Sequence, residues 1–259
     1  MYASLARQFY DTETVAIALM GSHARGEAQA YSDVDLVCIT RNSTAPEAQT
    51  LYSGDQLVVV SSVTIEQTEA WFSEPKQIVQ VMQNLRQAKP LIDPSAFFAE
   101  LQNRAHQFHW TAEHQRRADD YVAGQMVGLI EEVHKGLNGL EHHHADRLIN
   151  ASHGLAWGLT YILLVHKAVL TSGDNGLIAG AQAAAGVTSE WSGLHRHVFG
   201  ISSTAESTVD LIQQTRASLQ LYKLTFQLVW DACNPTQKQL IKMCISNIDA
   251  VLSQDDITP

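Results

Sequence analysis

At 259 residues, with 45% hydrophobic and 17% charged residues, the chain is long enough for one large domain or two modest ones and too apolar to be disordered. Its formal net charge of −10 excludes a broad nonspecific grip on DNA or RNA, which needs clustered Lys and Arg, and suits small cationic partners better. Cys38, Cys233 and Cys244 lie in apolar surroundings without metal-ligand spacing or an even count, so they are expected as reduced core residues of a cytoplasmic protein.

Through the first hundred residues, β-like and helical runs alternate. Thr14 to Met20, Val34 to Thr40 and Gln56 to Thr64 are rich in β-branched residues and bounded by Gly, Ser or Asp, which predicts strands. Ser22 to Gln29 fits a short helix between the first two. The apolar spacing then turns helical in "PKQIVQVMQNLRQA" and "PSAFFAELQNRAHQF", each opening on a proline suited to a first turn.

Beyond about residue 108 the pattern is helical throughout: roughly 118–140, 144–170, 176–185, 203–232 and 237–252. Asn234-Pro235 supplies a cap and a first helical residue for the last of these. The stretch "GLAWGLTYILLV", Gly154 to Val165, is too short to cross a bilayer and reads as a buried helix; no signal peptide and no membrane contact are expected. "EHHHAD", Glu141 to Asp146, reads as a solvated helix start, because three consecutive histidines on a helix point in different directions and cannot all hold one ion. The expected organisation is an α/β domain over 1–108 and an all-α domain over 109–259.

The candidate chemistry sits in "GSHARGEAQAYSDVD". A strand that ends in Gly21-Ser22 at a helix start offers backbone N–H groups and a hydroxyl to a phosphate. On the next strand Asp33 and Asp35 share a face by alternation and offer hard oxygens to Mg²⁺. The two elements together describe a metal-nucleotide site.

This stretch resembles the signature of the DNA polymerase beta-like nucleotidyltransferases: Gly-Ser, a gap of this length, then Asp-x-Asp on the following strand. The order of segments along most of the chain is similar to that of the kanamycin (aminoglycoside) nucleotidyltransferases. That resemblance implies an α+β fold, with a mixed-sheet nucleotidyltransferase domain followed by a helical bundle. It also implies a Mg²⁺-dependent transfer of a nucleoside monophosphate from a nucleoside triphosphate to a hydroxyl of a small acceptor, an aminoglycoside among the candidates, in a homodimer. By the same resemblance Gly21, Ser22 and Arg25 meet the triphosphate and Asp33 and Asp35 hold Mg²⁺. Glu131 is then the general base and Lys135 lies near the phosphates, with Glu132 the competitor for the base.

The "QLVVVSSVT" strand lacks the third carboxylate that many members of the superfamily carry there. The alternative reading is therefore a catalytically weak nucleotide-binding or antitoxin-like regulatory protein.

Overall fold

The computed structural model describes residues 1–201 and 210–253. Its secondary structure is α+β: a five-stranded mixed sheet lies in the N-terminal part and helices follow. Two compact units form, Met1–His114 with Leu170–Gly176, and Gln115–Val169 with Leu177–Pro259.

In the first unit, helix α1 (Tyr2–Ala6) precedes β1 (Thr14–Leu19), α2 (Gly21–Arg25), β2 (Val34–Thr40), β3 (Gln49–Ser53), β4 (Gln56–Thr64), α3 (Ala70–Ser73), α4 (Pro75–Gln87), β5 (Lys89–Ile92) and α5 (Phe97–Gln107). The strand order is β3-β4-β2-β1-β5, with β2 and β4 parallel and every other pair antiparallel. All six residues of β1 are buried, because the strand is central and both sheet faces are covered.

Alternation along β2 sorts side chains between two cores. Val37 and Ile39 join Ile78, Met82 and Leu85 of α4 and Phe98 and Leu101 of α5. Val34, Leu36 and Cys38 join Leu5 of α1 on the other face. The three strands expected from sequence are present, whereas β3 and β5 were not anticipated. The short helix ends earlier than expected, at Arg25, because Gly26 adopts the left-handed conformation that closes it.

The second unit is helical. It is built from α6 (Ala112–Gly128, which begins in the first unit), α7 (Ile130–His142), α8 (Ala145–His166), α9 (Leu177–Ala185), α10 (Glu190–Val198), α11 (Leu211–Leu228) and α12 (Pro235–Leu252). The single helix expected over 118–140 is two, separated at Leu129, whose side chain lies against Gly158 of α8. Small residues allow α7 and α8 to approach closely: a Cβ on Gly136 would lie 3.2 Å from that of Ala151. Helix α10 was not expected. Of the helix expected over 203–232, residues 203–209 lie outside the described residues, and Leu211–Leu228 is helical.

Asn234 caps α12 and Pro235 opens it, as expected, and Gln237 completes a capping box with Asn234. Helix α8 is longer than its apolar run, and by length and composition it is the one described helix able to cross a membrane. Its residues Leu155, Leu159, Ile162, Leu163, Leu164 and Val165 are buried in the unit's core. The three exposed histidines join two helices: His142 ends α7, His143 is left-handed and His144 occupies the N-cap position that starts α8. All three cysteines are free and buried, and burial pushes the Cys38 and Cys244 thiols up to about 11, out of the range of ready thiolate chemistry.

Candidate active site

The antiparallel register of β1 and β2 brings the two halves of the Gly-Ser and Asp-x-Asp stretch together. Leu19 faces Leu36, and the Met20 N–H donates to the Asp35 carbonyl at 2.9 Å. Gly21 therefore lies directly against the Asp35 side chain. A Cβ there would overlap Asp35 Oδ2 and lie 3.1 Å from its Cγ, and Gly21 has φ +64°. Glycine is required on both counts. Asp35 shares strand parity with Val37 and Ile39, while Asp33 precedes the first residue of β2 instead of lying within it.

Hydrogen bonds fix the loop that leads to Asp33. Tyr2 Oη and His23 Nδ1 are hydrogen-bonded at 2.7 Å, and His23 Nε2 donates to the Ser32 carbonyl at 3.3 Å, because a carbonyl oxygen only accepts. The Gln56 amide also reaches that carbonyl, at 2.5 Å, and the Gln29 N–H donates to Ser32 Oγ at 2.8 Å. Arg25 is not left loose in solvent. Its Nε donates to Glu27 at 2.6 Å and its Nη1 to the Asn84 side chain of α4 at 3.3 Å.

Burial pushes the Asp35 carboxyl up to about 6, the nearby Asp33 charge adds to the effect, and Asp174 contributes in the same direction. His23 and Arg25 oppose the shift. Two carboxylates in one another's field with too little compensating charge have the chemistry of a divalent-cation site, so this donor set fits Mg²⁺. Among the described residues no group of three or more His, Cys, Asp or Glu side chains is arranged to hold a metal. Two carboxylates suit an ion that takes its remaining ligands from substrate phosphates and water. Beside Asp35 on the parallel strand β4 lies Val59, so no carboxylate enters from that side.

Within the helical unit, Lys135 of α7 contacts both preceding glutamates, Glu132 at 2.7 Å and Glu131 at 3.1 Å. The Glu132 hydrogen bond, and then that to Glu131, raises the lysine's pKa. The two carboxylates differ in setting. Glu131 is 77% exposed, whereas Glu132 is 23% exposed and lies against Gly154 of α8, where a Cβ would come within 3.0 Å of it. Sequence spacing alone did not separate them in this way.

A cleft of about 720 Å³ opens beside the Gly-Ser turn in the first unit. Ser22, Arg25, Tyr31, Ser32 and Asp33 line it together with Ser172 to Gly176, excepting Asp174. The motif reading missed Tyr31 and the 172–176 segment. The Gly and Asn of "TSGDN" signal a turn, but nothing local says where that turn goes.

Residues 4–86 match the family model of the nucleotidyltransferase domain. Both the Gly-Ser turn and the Asp-x-Asp pair fall within the matched region. The fold is similar to that of a nucleotidyltransferase-like protein from Exiguobacterium sibiricum, with a TM-score of 0.51 at 15% identity over 88% of this chain and 75% of that one. No curated protein matches the sequence.

Proposed function

We propose that the protein is a Mg²⁺-dependent enzyme that transfers a nucleoside monophosphate from a nucleoside triphosphate to a hydroxyl of a small acceptor. The observation that carries this reading is the contact of Gly21 with Asp35, which joins a phosphate-binding turn to a pair of carboxylates within the nucleotidyltransferase domain. Asp33 and Asp35 would hold the metal, which supplies charge neutralisation and alignment of the phosphates. Gly21 and Ser22 offer N–H groups and a hydroxyl to the triphosphate, and Arg25, steadied by Glu27 and Asn84, adds positive charge.

Glu131 takes the proton from the acceptor hydroxyl as its oxygen attacks the α-phosphorus and pyrophosphate leaves. Lys135, 3.1 Å from Glu131, supplies positive charge beside it. The high exposure of Glu131 leaves it free to meet a substrate, while Glu132 is occupied by packing and by Lys135. An acidic chain suits a polycationic acceptor such as an aminoglycoside, and we place the enzyme in the cytoplasm as a homodimer.

The test is incubation with each nucleoside triphosphate, Mg²⁺ and an acceptor panel, following pyrophosphate release and an acceptor mass gain equal to a nucleoside monophosphate. Asp33→Asn and Asp35→Asn should each abolish transfer while the protein melts as wild type. Wild-type turnover in either variant would remove the metal assignment. Nucleotide binding without transfer to any acceptor would favour a regulatory nucleotide-binding protein, the reading supported by the absence of a carboxylate beside Asp35 on β4.

A further inference from the structure

Leu170–Gly176 belongs to the first unit although the chain on both sides of it belongs to the second. Its anchor is Thr171, which is 5% exposed and whose backbone N–H and hydroxyl both donate to the Val79 carbonyl of α4, at 2.9 and 3.3 Å. Leu170 packs against the core formed by α4 and α5. The anchor fixes a strap whose next residues, Ser172, Gly173, Asn175 and Gly176, form part of the cleft wall.

The chemistry of the strap differs from that of the rest of the cleft. Elsewhere the wall holds Ser22, Arg25 and Asp33, groups for phosphate and metal, with Glu27 paired to Arg25. The strap contributes a hydroxyl, an amide and glycine backbone to the wall, brings no cation, and carries the negative Asp174, whose field reaches Asp35. Such a surface offers phosphate no cation. It suits neutral polar groups that both donate and accept hydrogen bonds, as base edges and ribose hydroxyls do. The Ser172 and Asn175 side chains make no hydrogen bond among the described residues, and Asn175 is exposed. The remaining wall residue of note is Tyr31, which is 101% exposed and leaves its ring faces open to stacking.

We infer that the strap and Tyr31 form the nucleoside-reading part of the cleft. The base stacks on Tyr31 while Ser172 and Asn175 hydrogen-bond the nucleoside, and the triphosphate runs toward Gly21 and Asp33. This inference rests on the nucleotidyl-transfer reading of the same cleft and assigns to it residues outside the matched domain region, 4–86.

The deciding measurement is calorimetric binding, in excess Mg²⁺, of the nucleoside triphosphates and of inorganic tripolyphosphate to the full chain and to Tyr31→Ala and Asn175→Ala. Both positions are exposed, so neither variant disturbs a core. Each should weaken nucleoside triphosphate binding about tenfold, in the range of one lost stacking or polar contact. Tripolyphosphate binding should be unchanged, whereas Ser22→Ala should weaken both ligands alike. Variants that bind nucleoside triphosphates as wild type does, or that lose tripolyphosphate equally, overturn the inference. A wild-type protein that binds neither ligand overturns the nucleotidyl-transfer reading, and the inference with it.

Discussion

Replacing Gly21 with alanine separates backbone strain from displacement of Asp35, because Gly26 provides a matched control. Both glycines have positive φ, +64° and +76°, so alanine at either costs about 1–2 kcal/mol. In a chain of this size each kcal/mol corresponds to a drop in Tm of roughly 2–4 °C. The surroundings differ: a Cβ on Gly26 meets nothing within 4 Å, whereas one on Gly21 overlaps Asp35 Oδ2 and sits 3.4 Å from Asp35 Cβ.

The Asp35 backbone cannot yield, since its carbonyl is bonded by Met20 and its neighbour Leu36 is paired with Leu19. The carboxylate must therefore swing away, and a displacement of about 1 Å at a catalytic group costs about 10²-fold in rate. Thermal unfolding and pyrophosphate release on both variants form the assay. Gly26→Ala should melt several degrees early with near-normal turnover, and Gly21→Ala should melt early and lose about two orders of magnitude in activity. Equal turnover in the two variants would refute the argument that Gly21 exists to admit Asp35.

Glu131→Gln should lower kcat by about 10²–10⁴-fold with nucleotide affinity preserved, and Glu132→Gln should be mild; steady-state kinetics in which Glu132→Gln is the worse variant would make Glu132 the base. A homodimer is expected by light scattering, with specific activity falling on dilution through its dissociation range, and a fully active monomer would contradict this. Burial lowers the pKa of His195 from 6.5 to about 4, with Thr160 Oγ1 2.8 Å from its Nε2 and Trp191 stacked on the ring at 4.5 Å. The unfolded chain takes up this proton first, so the stabilisation is complete above about pH 6.5 and falls as pH drops toward 4, by about 3 kcal/mol in total. Melting curves of wild type and His195→Gln should diverge in that window, and parallel pH profiles would count against it.

What could be read in the sequence follows from whether the cause of each feature is local. β1, β2 and β4 announce themselves through β-branched apolar runs, because β1 and β2 are buried almost throughout and β4 buries Val58, Val60 and Thr64, and composition records burial. β3 is an exposed edge strand, and its only local mark is the Gly54-Asp55 turn that pairs Ser53 with Gln56. β5 has four residues, one of them Pro90, and exists because β1 has a free side to pair with, which no window of sequence records.

The site divides in the same way. Gly21, Ser22, Asp33 and Asp35 are legible because one hairpin-like crossing of adjacent antiparallel strands brings them together within fifteen residues of chain. The Ser172–Gly176 wall reaches the same cleft from a point far later in the chain, carried there by Thr171 and its bonds to Val79. A turn composition fixes where the chain bends, but the destination depends on a carbonyl in α4 that only the folded unit presents. Under the inference that Ser172 and Asn175 read the nucleoside, those residues can change without altering the Gly-Ser and Asp-x-Asp motif, so one such turn can serve different bases.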